Sequence, residues 1–304
     1  MSTTVVVGIC TFRRNEQLER LLAALARISH APHAEYRVDV VVVDDDPDGG
    51  AQPVVRAAQP AFAGELAYQR SGSADLSVAR NTVIEQGVQR GEWLAFIDDD
   101  CLPDAEWVDQ LLAVQGRTGA DIVTGRHVTT ARGSAPRWLL DEPFWATAEY
   151  ADGAEPEYGN TPNVLLSTRF LEGTGVRFRS TLGLTGGEDM TFYADARAAG
   201  GVMRHARNAL VFEELSPSRE RLGYNLHRQF WLGNNMVVIN RHTHRESMPR
   251  LLVRGIKRII TSLVSPLLRY RRGEPPQVRW ALAYALQGLG LVLGVLGLTV
   301  RHRV

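Results

Sequence analysis

The hydrophobic pattern over the first hundred residues alternates between two periods. Residues 5–10 form a short apolar, β-branched run, and residues 16–28 follow with Leu18, Leu21, Leu22, Leu25 and Ile28 at helical spacing behind Asn15 in the N-cap position. This predicts strand, loop, helix. Residues 38–43 give a second run, apolar except for Asp39, and residues 93–97 a third, preceded by a helical stretch over about 77–89. Apolar runs this short, alternating with helices, predict an α/β fold with a Rossmann-like, mostly parallel sheet covered by helices on both faces. Between residues 118 and 162 the pattern weakens and fills with Gly, Pro and aromatic residues, which predicts loops and short strands. No internal repeat is legible.

In open α/β sheets the ligand lies beyond the carboxyl ends of the strands, so the residues just after each apolar run carry the most information. Two of these ends hold three aspartates each: Asp44, Asp45 and Asp46 after the second run, and Asp98, Asp99 and Asp100 after the third. Carboxylates crowded at one strand end repel one another, and a divalent cation relieves the repulsion. Oxygen ligands suit Mg²⁺ or Mn²⁺, and with few protein ligands such an ion keeps positions for water and substrate phosphates. That points to a diphosphate substrate. Asp46 and Asp48, beside Pro47 and Gly49, read better as turn residues. Pro103 is expected to open a helix that Trp107, Leu111 and Val114 continue.

Charge divides the chain. The 304 residues carry 34 Lys+Arg and 34 Asp+Glu. Residues 241–304 hold 12 basic and 2 acidic side chains, leaving 22 and 32 for residues 1–240, a body at −10 and a tail at +10. An acidic body excludes nucleic acid as the main partner, which would need a basic reading surface. Cys10 and Cys101 form neither a disulfide framework nor a metal cluster. Met1, Ser2, Thr3 and Thr4 lead directly into the first apolar run, without the pattern of a secretory leader. A cytoplasmic body is expected.

Five segments, taken in order, resemble the family 2 glycosyltransferases: residues 7–12, the acids after Val43, residues 76–81, residues 96–103, and the run Gly186, Gly187, Glu188, Asp189. The resemblance covers residues 4–240 and implies a GT-A fold and an inverting transfer of sugar from a nucleotide-diphosphate donor to a hydroxyl acceptor. By resemblance, Thr11, Asp44 and Asp45 line the nucleotide base and ribose, Arg80 lies near the base or phosphates, and Asp98 and Asp100 form the D-x-D pair. Asp98 then meets ribose or metal-bound water and Asp100 binds the metal, with Asp99 between them counted in the donor site. Asp189 matches the catalytic base, and Glu188 beside it would share a proton or hold an acceptor hydroxyl. The chain departs from the common Asp-Asp-Gly-Ser form by reading Asp44, Asp45, Asp46, Pro47. Displacement at an anomeric carbon needs a base on the acceptor and charge stabilisation on the leaving diphosphate, and these residue types supply both.

Residues 160–165, with Asn163 among them, precede a predicted strand and resemble the acceptor-side loop of the family, although a structural turn accounts for them equally. Arg219, Arg228 and Trp231 offer cations and an aromatic that would clamp a diphosphate and stack on a sugar, although a packed amphipathic face accounts for them equally. The acceptor is expected to be a saccharide or a lipid-linked saccharide.

In the tail, Leu252, Ile256, Ile259, Ile260, Leu263 and Leu267 share a helical face, Arg254, Lys257 and Arg258 lie elsewhere around the helix, and Pro266 is expected to kink or end it. Residues 280–300 carry no charge and are long enough to cross a bilayer, but Gln287 and four glycines lower their helix propensity, and Arg279, Arg301 and Arg303 bracket them. Spanning, interfacial and docked readings stay open at this point. The organisation expected is a transferase domain over 1–240 and a membrane-associating tail over 241–304, placed on the cytoplasmic face of the inner or plasma membrane. A non-catalytic nucleotide-sugar or glycan-binding protein is the alternative. An aspartyl phosphohydrolase ranks lower, because the first run ends in Cys10 and Thr11 rather than an acid.

Overall fold

The computed structural model describes residues 3–29, 36–131, 133–182 and 186–300. Met1, Ser2, Arg301 and Arg303 therefore lie outside the described residues. Two compact units are formed, the first from residues 1–128, 147–183 and 188–213, the second from residues 129–146, 184–187 and 214–304.

In chain order the elements are β1 (Thr3–Thr11), α1 (Asn15–Ser29), β2 (Tyr36–Asp44), α2 (Gln52–Ala58), β3 (Leu66–Arg70), α3 (Leu76–Arg90), β4 (Trp93–Ile97), β5 (Cys101–Pro103) and α4 (Trp107–Thr118). There follow β6 (Ile122–Thr130), α5 (Trp138–Asp141), β7 (Asn163–Ser167), α6 (Thr168–Thr174), α7 (Glu188–Ala198), β8 (Met203–Glu214), α8 (Leu222–Thr243), α9 (Met248–Arg271) and α10 (Val278–Val295).

Among the described residues eight strands form one sheet in the order β3-β2-β1-β4-β7-β6-β8-β5. The first four are parallel, with Thr11 opposite Asp44 and Val5 opposite Trp93. Beyond β4 the pairings of β7 with β4, β6 with β7 and β5 with β8 are antiparallel. The parallel pattern read from the sequence thus holds for the half built from β-α-β crossovers. Alternate side chains of each central strand enter opposite cores. Val5, Val7 and Ile9 join Leu18, Leu21, Leu25, Trp107 and Leu111 on one face, while Val6, Val41 and Val43 join Val83, Ile84, Leu94 and Phe192 on the other. Both faces are dry, which is why these strands read as continuous apolar runs. At Gly8 an added Cβ would sit 2.1 Å from a Val83 methyl, so α3 crosses β1 at a distance that only glycine permits.

Several local expectations are corrected. Pro103 opens no helix; it ends β5, which pairs with residues 211–213 of β8, and α4 begins four residues later. The stretch 118–162 contains the nine-residue strand β6, hidden because its second half is polar and half-buried. β3 was missed for the same reason. Asn15 starts α1, and its amide donates to the Gly50 carbonyl at 3.0 Å.

In the second unit, α10 packs on both α8 and α9 along its glycines. A Cβ at Gly288 would meet the Gly255 carbonyl oxygen at 2.6 Å, and one at Gly290 the Phe230 carbonyl oxygen at 2.1 Å. Two of the glycines that lower helix propensity, Gly288 and Gly290, are therefore points of backbone approach, while an added Cβ at Gly297 would meet nothing within 4 Å. The Trp280 amide donates to Glu142 Oε2 at 2.7 Å, and the Trp280 ring meets Phe144 edge-on. α9 does not end at Pro266 but continues to Arg271. α8 runs through residue 240, where the sequence reading drew its domain boundary.

Candidate active site

Parallel strands place β1, β2 and β4 side by side with their carboxyl ends together, and the groups singled out in the sequence gather there. Thr11 closes β1 and donates through Oγ1 to Asp99 Oδ2 at 2.8 Å. Arg14, three residues on, bridges Asp99 at 3.1 Å and Asp100 at 2.8 Å. Asp99 is buried, and burial pushes its carboxyl up to about 6 although Arg14 and the Thr11 hydroxyl favour the ionised form. Thr11 and Asp99, two of the expected donor ligands, thus hold each other.

The acids after β2 are also spoken for. Asp44 is fully buried and accepts from the amides of Asp46 and Ala51 and from the Tyr68 hydroxyl at 2.9–3.0 Å, which ties the 46–51 turn to the strand end. Asp45 accepts from the hydroxyls of Ser71 and Ser73, each at 2.7 Å, and from the Ser73 amide at 3.2 Å. Asp46 pairs with Arg13, as a turn residue would. The two acids shape the loops after β2 and β3 as a single wall.

Asp98 and Asp100 remain more open, their side chains 38% and 19% exposed. Arg80, buried on α3, reaches toward Asp98 at 3.8 Å and donates through Nη1 to Glu188 Oε1 at 2.6 Å. Its guanidinium also lies 5.4 Å over the Phe178 ring. Arg80 sits there because Asp75 caps α3, accepting from the amides of Ser77 and Val78. Asp189, next to Glu188 in the first turn of α7, is half-buried; burial and the charge of Glu188 push its carboxyl up to about 6 against the pull of Arg80. A carboxylate raised toward neutrality is the stronger base.

His127 of β6 and Glu213 of β8 lie 3.2 Å apart, and the Cys101 thiol stands 3.8 Å from the same imidazole nitrogen. This group and Arg14 were missed in the sequence. A histidine in a strand and an arginine beside another arginine carry no local signal of their partners. Both cysteines are free, and burial pushes their thiols up.

Among the described residues no group of three or more His, Cys, Asp and Glu is arranged to hold a cation. The donor chemistry of Asp98 and Asp100 still fits Mg²⁺ or Mn²⁺, since such an ion takes one or two carboxylates from the protein and completes its shell with water and phosphate oxygens.

The secondary expectations fall elsewhere. Asn163 is fully buried; its carbonyl accepts from Trp107 Nε1 at 2.8 Å and its amide donates to the carbonyls of Arg126 and Ala209. Those bonds tie α4, β6 and β8 to β7 and leave the side chain turned inward rather than toward an acceptor. In the second unit, Arg228 donates to the Phe144 carbonyl at 3.0 Å and lies 4.0 Å over the Trp145 ring. Trp231 packs where a Cβ on Gly186 would stand, and Arg219 lies in the turn before α8.

A family model described as Glycosyl transferase family 2 matches residues 6–178. The succinoglycan biosynthesis protein ExoM of Rhizobium meliloti is 32% identical over 227 residues, 75% of this chain and 72% of its own. Glycosyltransferase AglE of Haloferax volcanii is 30% identical over 121 residues, 40% of this chain and 38% of its own. Among solved structures, S. aureus TarS 1-349 in complex with UDP-GlcNAc matches at a TM-score of 0.53 and 15% identity, over 92% of this chain and 90% of that one. A longer TarS structure matches at 0.54 and 16%, and this chain spans 55% of its length. Identities this low speak for the fold alone.

Proposed function

Starting from a chain that belongs to glycosyltransferase family 2, we propose that it is an inverting enzyme moving a sugar from a nucleoside-diphosphate donor to a hydroxyl on a growing or lipid-linked saccharide. One observation carries the reading: Asp98 and Asp100 stand together at a sheet end, Asp100 held by Arg14 and Asp98 facing Arg80, whose other terminal nitrogen holds the residue adjoining Asp189. A diphosphate needs cationic neutralisation and an acceptor needs a base, and this end of the sheet offers groups for both.

Asp189 takes the acceptor proton at a carboxylate oxygen as the oxygen attacks the anomeric carbon from the side opposite the leaving diphosphate. Its raised proton affinity supports that role. Arg80 is oriented by Glu188 and directs positive charge to the region where the diphosphate departs. Glu188 is therefore better read as a positioning group than as a second acid. Asp98 and Asp100 would hold a divalent ion, which, when bound, neutralises the charge that accumulates on the departing diphosphate. The wall formed by Asp44, Asp45 and Tyr68 bounds the nucleoside side. The UDP and UDP-GlcNAc complexes of TarS support a nucleotide-sugar donor, and the name of ExoM supports a saccharide acceptor of the polysaccharide kind.

The test is a panel of nucleoside-diphosphate sugars with Mn²⁺ or Mg²⁺, read by thermal unfolding and by slow donor hydrolysis, on the wild type, Asp100→Ala and Asp189→Ala. A bound ligand raises the melting temperature with its saturation. One donor is expected to stabilise the wild type only with metal, Asp100→Ala to lose that effect, and Asp189→Ala to keep it without turnover. No response to any donor would instead favour a glycan-binding protein that has retained the fold.

A further inference from the structure

Helix α9 has two unlike sides. Leu251, Gly255 and Ser262 are buried, and Gly255 meets Gly288 of α10. On the other side Val253, Ile256, Ile260, Leu263 and Leu267 recur every three or four residues and face solvent, Leu263 at 76%, Ile260 at 57% and Leu267 at 53%. Val278, Leu282 and Leu289 on α10, and Leu296 at its C-terminal cap, continue the pattern at intervals of four and seven. Scattered exposed aliphatics are ordinary, but a stripe running the length of a helix marks a contact surface.

Charge identifies the occupant. The α9 segment holds six basic residues and no acidic one. Arg250 and Lys257, seven apart, lie on one helical face along a flank of the stripe, while Arg269 and Arg271 stand in the last turn. An apolar stripe bordered by cations is the form of a helix lying in the plane of an anionic bilayer, its aliphatics below the head groups and its cations among them. A second copy of the chain does not complement this surface, because a two-fold contact would set like-charged flanks against each other. Crossing does not fit either: α10 has the length and apolarity, but its glycine side is taken up by α8 and α9, and α9 carries too many cations for hydrocarbon.

We propose that the exposed α9–α10 face docks in the plane of a membrane surface bearing anionic lipid. The proposal stands apart from the catalytic reading, since none of its residues belongs to the active site. It is tested by flotation of the full chain with phosphatidylglycerol–phosphatidylcholine vesicles and with phosphatidylcholine vesicles, at low and high salt. The variants are Ile260→Asp with Leu263→Asp, and Arg250→Glu with Lys257→Glu; circular dichroism and the melting temperature verify their fold. The wild type is expected to float with the anionic vesicles, to weaken as salt is added, and to lose about fivefold in binding for each cation removed. The double aspartate variant is expected to stay at the bottom of the gradient. The proposal is overturned if the wild type stays down at low salt, if the aspartate variant floats equally well, or if light scattering shows a dimer that the aspartates dissociate.

Discussion

The Arg80 guanidinium donates to Glu188 Oε1 at 2.6 Å while its other terminal nitrogen lies 3.8 Å from Asp98 Oδ1. Residues from α3, the end of β4 and α7 thus share one buried cation, and the link joins the carboxylate pair to the helix that carries Asp189. Both partners of the Arg80–Glu188 pair are under 10% exposed, so removing one strands the other in a poor solvent. Breaking a buried pair this way costs about 3–5 kcal/mol. Glu188→Gln keeps a hydrogen-bond acceptor and is expected to fall near the lower bound by urea unfolding, with Arg80→Met at least as damaging. A Glu188→Gln protein as stable as the wild type would mean that the pair does not carry the join between these elements.

The pH dependence of turnover follows from Asp189. Its carboxyl is pushed up to about 6 by burial and by Glu188, and a general base works only when deprotonated. The rate at saturating donor is therefore expected to rise with pH through about 6 and level off above it. Asp189→Asn should lose the rise together with about 10²- to 10⁴-fold in rate, the usual contribution of a positioned base. A rate that falls as pH rises through that range would remove Asp189 from the role.

Asp98 and Asp100 stood out in the sequence for a geometric reason, whereas Arg80, Glu188 and Asp189 were picked out by resemblance alone. Open α/β sheets put ligands at strand ends, so acids after an apolar run stand out without knowledge of their partners. What was not legible was what each acid holds. Asp44 and Asp45 look like ligands in one dimension, and only the return of Tyr68, Ser71 and Ser73 from β3 shows that they build a wall. Asn163 is the reverse case, a polar residue in a loop-like context whose three bonds run to segments 37–56 residues away. Short or half-polar strands such as β5 and β3 are specified by their neighbours in the sheet rather than by their own pattern.

Thr11 supplies a smaller, separable effect. Its hydroxyl donates to Asp99, which is buried and raised in proton affinity. Thr11→Val keeps the shape and removes that donor, and hydrogen bonds to charged groups contribute about 1.5–3 kcal/mol. Because Arg14 still contacts Asp99, a loss of about 1–2 kcal/mol is expected by urea unfolding. No loss would show that Arg14 alone satisfies the carboxylate.

The glycines of the second unit give a test in which one substitution changes sign along a single helix. Gly223 and Gly233 both lie in α8. In an isolated helix, alanine at either site is favoured by about 1 kcal/mol, because glycine loses more backbone entropy on ordering. At Gly223 an added Cβ meets nothing within 4 Å, so Gly223→Ala is expected to be neutral or to stabilise by a few tenths of a kcal/mol up to about 1. At Gly233 the same atom would lie 1.9 Å from the Gln287 carbonyl oxygen and 2.8 Å from its carbon. Both are backbone atoms of α10, and no rotamer change relieves the overlap; the helices must separate. Overpacking of this kind costs about 1–3 kcal/mol or more, enough to outweigh the entropic gain. Gly233→Ala is therefore expected to lower the melting temperature while Gly223→Ala holds or raises it. Equal effects at the two positions would mean that α8 and α10 do not approach as described, and the exposed stripe on α9 and α10 would then need a different account.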